Sequence, residues 1–179
     1  MIDLDNLEDS ISRIYDHYYL DVYRFLICFS GNQSDAEDMT QEVFIRVLHN
    51  LGSFNSDGNL KTWIISIAKH VAVDNYRKKR FYAIFKDSFF NQVKSTEKGP
   101  NDIYEQNEMR NVLHEAISNL KPNYRTVVIL RGINEFSIKE SAQILGCSES
   151  KVKVNYHRAL KDLKKKLFFE FEEVIRNAK

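Results

Sequence analysis

Apolar positions recur at intervals of three and four along most of the chain, and no alternating, strand-like run breaks them; the pattern predicts helices throughout. The first covers residues 7–29, where Leu7, Ile11, Ile14, Tyr18, Val22, Phe25 and Phe29 fall on one stripe. Residues 31–33 read as a turn. Ser34, with Glu37 three residues on, has the capping-box spacing that starts a second helix burying Met39, Val43, Phe44 and Val47. Asn, Ser, Asp and Gly mark a loop over 54–59. A third helix is predicted over 61–76, with Ile64, Ile67, Ala68 and Val71 inward. Periodicity lapses over 83–105, where Ser88, Ser95, Thr96, Gly99, Pro100 and Asn101 sit among mixed charges, which predicts an inter-domain linker with Phe85, Phe89 and Phe90 available for docking. Met109, Val112, Leu113, Ala116, Ile117 and Leu120 then form a helix face; Pro122 ends that helix or opens the next. The apolar segment 124–133 predicts a buried helix.

Residues 136–167 hold the densest set of local signals. Ser137 and Glu140 have the capping-box spacing, Ile138, Ala142 and Leu145 follow at helical intervals, and Gly146 stands where a helix end favours a left-handed residue. Ser148 is placed to cap a second helix whose stripe is Val152, Tyr156, Leu160, Leu163 and Leu167. Its opposite face holds Ser150, Val154, His157, Arg158, Lys161 and Lys165, flanked by Lys153 and Lys164. Two helices with a short glycine turn form the DNA-binding helix-turn-helix pattern. A helical hairpin with a solvated basic face is the plainer alternative. Val154 argues against it, since an apolar side chain among cations suits a thymine methyl better than water.

Charge sharpens the division. The whole chain carries +1, but residues 1–82 hold 9 Lys and Arg against 12 Asp and Glu, residues 83–105 hold 3 against 4, and residues 106–179 hold 14 against 9. The last part suits a polyanion and the first another kind of partner. An all-α protein of two small domains, 1–82 and 106–179, joined by the 83–105 linker, is the expected architecture. In the first domain, Asp38, Gln41 and Glu42 lie off the apolar face of their helix, and the third helix ends in Arg77, Lys78, Lys79 and Arg80. Cations favour a helix C-terminus, but four in a row in an acidic domain also suit phosphates.

Several classes are disfavoured. Cys28 and Cys147 are the only cysteines and no ligand cluster accompanies them, so neither a disulfide framework nor a metal site is expected. The acidic start (Asp3, Asp5, Glu8, Asp9) is unlike a secretory leader, and no apolar run approaches the ~18 residues of a membrane span, so a cytoplasmic protein without membrane insertion is expected. The five histidines are dispersed and no nucleophile, cofactor loop or catalytic constellation is evident. A recombinase-like enzyme would need clustered arginines, and Arg13, Arg24 and Arg46 are scattered.

Three stretches in this order resemble the bacterial RNA polymerase sigma factors. Residues 34–47 (SDAEDMTQEVFIRV) are similar to the core-binding helix of that family, residues 61–80 (KTWIISIAKHVAVDNYRKKR) to its promoter-melting segment, and residues 137–166 to its C-terminal helix-turn-helix. The two-domain layout resembles the extracytoplasmic-function subgroup, with sigma region 2 in 1–82, a flexible linker and region 4 in 106–179; the nearest likeness is to cell-envelope stress members of Gram-positive rods. The resemblance implies that Asp38, Gln41 and Glu42 grip the clamp helices of the largest subunit of core polymerase. It implies that Arg77, Lys78, Lys79 and Arg80 lie along phosphates at the downstream promoter element, the −10 box. The 55–61 loop and His70, where many members carry Asn, would hold a flipped base. Lys153, Val154, His157 and Arg158, with Lys151 and Lys161 beside them, would meet the upstream element, the −35 box. It further implies no cofactor, and a membrane-bound anti-sigma factor as inhibitor. The alternative is a stand-alone helix-turn-helix regulator, which leaves 34–46 and 61–80 without a task; a helical protein-binding adaptor is a third reading.

Overall fold

The computed structural model describes residues 4–54, 58–89 and 108–177, with side chains placed for 11–54, 58–83 and 112–168. Among the described residues there are seven α-helices and no strand: α1 (Leu4–Ser30), α2 (Gln33–Asn50), α3 (Leu60–Phe89), α4 (Glu108–Ser118), α5 (Pro122–Val128), α6 (Ile138–Leu145) and α7 (Glu149–Asn177). A short 3₁₀ turn (Leu51–Ser53) follows α2, and a π turn (Ile129–Ile133) follows α5.

Helices α1, α2 and α3 pack on one another as a three-helix unit. Phe25, Leu26 and Phe29 of α1 are buried together with Val43 and Val47 of α2 and Ile64 and Ala68 of α3. The second unit packs α4, α5 and α6 against α7, with Ile117, Leu120, Val127, Ile144 and Val152 buried. The two units meet where α3 touches α6 and where α1 touches α4 and the π turn.

Several local readings hold. Ser137 and Glu140 form the reciprocal capping box, Gly146 takes the left-handed conformation at φ 63°, and the Lys151 N–H donates to Ser148 Oγ at 3.3 Å. Pro122 opens α5, where a missing N–H is harmless. Segment 125–130 is buried throughout, as its composition predicts.

Other readings need correction. The cap of α2 is Asn32, whose side chain accepts from the Asp35 N–H at 2.9 Å; Ser34 lies inside the helix. Both residue types cap well, and the left-handed Gly31 (φ 68°) that ends α1 brings Asn32 to the position first. The third helix runs past 76 to Phe89, through the first residues of the expected linker; residues 90–107, and the side chains of Phe85, Phe89 and Phe90, lie outside the described residues, as do residues 55–57 of the loop before α3. In α7, Leu160 is 43% exposed and Ala159 takes its place in the core; Leu113 of α4 also faces outward.

Candidate functional site

Three exposed polar surfaces follow from how these helices are buried. On α2, burial of Ala36, Met39, Val43, Phe44 and Val47 turns the opposite side outward. At ~100° per residue, Asp38, Gln41, Glu42, Ile45 and Leu48 share that side. Asp38 and Gln41 are exposed, and Glu42 is half-buried because Arg46 Nε donates to its Oε1 at 2.7 Å. Ile45 and Leu48 are 49% and 41% exposed. The face is thus acidic with an apolar strip, a composition typical of a protein-docking surface with a polar rim. The apolar strip escapes a sequence reading that scores only the acidic residues, although Ile45 and Leu48 both fall outside the buried stripe and could have signalled it.

Helix α3 carries the second surface. His70 is exposed, with Lys69 Nζ 3.1 Å from its Nε2. Burial lowers the Lys69 pKa, and the nearby Arg77 adds to that effect. Arg77, Lys78, Lys79 and Arg80 are all exposed. Four consecutive residues circle a helix, so they cannot all face one phosphate track. Arg77 and Arg80 share a side, while Lys79 is ion-paired with Asp35 of α2.

On α7, Val152, Ala159 and Leu163 are buried. The opposite side carries Val154, His157, Arg158 and Lys161, with Lys151 and Lys153 at its borders, and all six are exposed. Val154 is 46% exposed among these cations. The side is an elongated basic strip with one methyl-bearing contact near its start, on a helix whose angle to α6 is set by the left-handed Gly146. No group of His, Cys, Asp or Glu among the described residues could hold a metal ion, and no helix there is long and apolar enough to cross a membrane. Cys28 is buried, which pushes its thiol up to about 11 and makes it a core residue.

Between the two units lies a set of contacts that the sequence did not announce. Arg125 of α5 is buried; its guanidinium donates to the carbonyls of Phe29 (2.8 Å), Ser118 and Leu120 (3.3 Å). The π turn and the left-handed Glu135 (φ 58°) bend the chain after α5. Asn134 there donates to the Asp21 carbonyl of α1 at 3.0 Å. Phe136 is buried with Lys61 Nζ 5.4 Å from its ring centre, and Lys61 is paired with Asp21 at 2.8 Å. Two of these partners, the Phe29 and Asp21 carbonyls, are backbone atoms far away in sequence, for which no spacing rule exists.

Comparison with known proteins agrees with this division. The Sigma-70 region 2 family matches residues 14–82 and the Sigma-70, region 4 family matches residues 110–163. The ECF RNA polymerase sigma factor SigX of Bacillus subtilis (strain 168) is 36% identical over 174 residues, covering 94% of this chain and 89% of that protein. SigW of the same organism, also an ECF sigma factor, is 31% identical, covering 89% and 90%. Among solved structures, the sigma factor RpoE of Bartonella quintana, in complex with the anti-sigma factor NepR, shares the fold at a TM-score of 0.71, with 23% identity, over 88% of this chain and 96% of that one. CnrH, in complex with the cytosolic domain of CnrY, does so at 0.66, with 20% identity, over 88% and 87%. The chain therefore belongs to the extracytoplasmic-function (ECF) group of sigma-70-type RNA polymerase sigma factors. Region 2 occupies the α1–α3 unit and region 4 the α4–α7 unit, which leaves no room for a stand-alone regulator that uses only the helix-turn-helix.

Proposed function

We propose that the outer face of α2 docks on the clamp helices of core polymerase through Asp38, Gln41 and Glu42, with Ile45 and Leu48 as its apolar centre. Basic segments on α3 and α7 read the promoter. Lys151, Lys153, Val154, His157, Arg158 and Lys161 meet the −35 box. His70 and the loop before α3 receive a base of the opened −10 box, and Arg77, Lys78, Lys79 and Arg80 supply phosphate contacts from whichever side of α3 faces the duplex. Melting is strand capture, in which contacts to splayed bases offset unstacking; the work requires binding energy and no catalytic group. Each DNA contact is modest alone, and holding both on one chain raises the effective concentration of the second.

The observation that carries this reading is the opposition of charge on two outward helix faces in separate units, acidic on α2 and basic on α7. An anti-sigma factor is a further partner: the RpoE relative of the same fold was solved with one, and a membrane-bound inhibitor is the form expected here. Run-off transcription on sheared genomic DNA, with purified protein added to bacterial core polymerase, tests the proposal. New start sites sharing two spaced upstream motifs, absent with core alone, are the expected result. Sequence-specific DNA binding without new starts would overturn it.

A further inference from the structure

The outward side of α7 holds one side chain out of keeping with its surroundings. Val154 lies in the second turn of the helix, which starts at Glu149, and is 46% exposed. Ser150 and Lys151 lie one turn before it, His157 and Arg158 one turn after, and all four are exposed. The residues that fix α7 in its unit, Val152, Ala159 and Leu163, are buried on the other side of the helix, and Val154 stands outside that core. Valine is also a weaker helix former than alanine or lysine. Neither packing, nor helix propensity, nor hydration accounts for it here. A β-branched side chain in a helix keeps nearly a single χ1 rotamer, so both methyl groups of Val154 are held in place before any ligand arrives.

The first turns of a recognition helix are the part that meets base edges in the major groove. Valine brings no donor or acceptor to them. Thymine presents an apolar group in that groove, its C5-methyl, whereas the other bases are told apart there by donors and acceptors. Against thymine, Val154 takes hydrocarbon on both sides out of water. Against any other base it would cover polar edge atoms without bonding them, which costs free energy. Both effects favour thymine, and neither depends on charge. The neighbouring cations act differently. Lys151 and Lys153 suit phosphates of any sequence, and Arg158 has the fork that matches guanine. Helix residues three apart meet successive bases in zinc-finger complexes, so Val154 and Arg158, four apart, address neighbouring base pairs.

We propose that Val154 is a specificity-determining residue for the −35 box, reading the methyl group of one thymine beside the pair that Arg158 addresses, so that base choice at this position is set by hydrocarbon contact and not by hydrogen bonding. The inference rests on the promoter reading above and assigns one base of its upstream element.

A single methyl group on the DNA tests it. Uracil in place of thymine keeps every hydrogen-bonding group of the pair and removes only that methyl. The probe is a promoter fragment recovered by run-off transcription, with each thymine of its upstream element, on either strand, replaced by uracil in turn. The enzyme is the full chain on core polymerase, below saturation. One replacement is expected to lower initiation about fourfold, the factor that corresponds to one buried methyl-sized group. Val154→Ala exchanges an exposed residue for the better helix former, so the fold is kept. It should lower initiation from the thymine promoter by a similar factor and make that position indifferent to uracil, the two changes together losing no more than either alone. An upstream element with no uracil-sensitive thymine, or a sensitivity that survives Val154→Ala, would overturn the thymine contact. A wild-type chain that never initiates would instead overturn the promoter reading.

Discussion

The two ends of this chain use one construction for two purposes. In each, a helix ends on a left-handed glycine, Gly31 or Gly146, and the next helix leaves at an angle with its outer side exposed. Helix α2 exposes carboxylates and two aliphatic side chains; α7 exposes lysines, an arginine and a histidine around one valine. Backbone geometry therefore does not set the character of the exposed face; the residues opposite the buried stripe do. The glycines differ too. A Cβ on Gly146 would meet nothing within 4 Å, whereas one on Gly31 would touch Ser118 of the other unit. The turn at Gly146 serves only its own hairpin, and the turn at Gly31 also permits a close approach between units.

Reversing charge should break the comparison most strongly. Asp38→Lys with Glu42→Lys is expected to cost at least about 3 kcal/mol in polymerase affinity, since truncating buried interface charges alone costs roughly 2–5 kcal/mol. Binding to a duplex carrying only the upstream element should stay unchanged. Pull-down with core polymerase and fluorescence anisotropy with the duplex check both halves. Arg158→Ala should do the converse, weakening duplex binding by about 1–3 kcal/mol with polymerase capture intact. If the two effects are exchanged, the faces are wrongly assigned.

The glycines sharpen the comparison at a smaller scale. Alanine at either position should cost about 1–2 kcal/mol from the left-handed backbone. Gly31→Leu should then lower the melting temperature more than Gly146→Leu, because only the former grows toward another unit. The smallest effect is in the capping box of α6. Hydrogen bonds from Ser137 hold the Glu140 carboxyl below its ordinary value of 4.5. A carboxylate depressed in the folded state adds stability above its unfolded pKa and loses it as pH falls through the folded value. Glu140→Gln should therefore be slightly less stable than wild type at pH 7, and the gap should close as pH falls below the ordinary value of 4.5 in thermal melts. The box has no counterpart at α2, where Asn32 is the cap.

Legible in the sequence is whatever a short stretch decides by itself. Ser137, Glu140, Gly146 and Ser148 act on neighbours within four residues, and their spacing is enough. The choice of Asn32 over Ser34 is not legible, because two good caps stand two residues apart and the outcome depends on where α1 ends. Leu160 reads as inward because hydrophobicity favours leucine over alanine, yet Ala159 is the buried residue and Leu160 is 43% exposed. The charged faces of α2 and α7 are visible as residue types, and their assignment to partners comes from family resemblance. Arg125 gives no signal: it stands in the most apolar segment of the chain, and its Phe29 acceptor is a backbone oxygen 96 residues away.

The π turn at Ile129–Ile133 acts as a counting device. The Asn134 N–H reaches back five residues to Ile129, so the segment holds one residue more than an α-helix of the same span. Deleting a single residue there would close the turn to an ordinary α-helical one and leave the direction of the later chain unchanged. Inserting a residue instead would rotate the later chain by about 100°, swinging Asn134 and Phe136 away from α1 and carrying the α6–α7 hairpin round with them. For this stretch of chain, residue number matters as much as residue type.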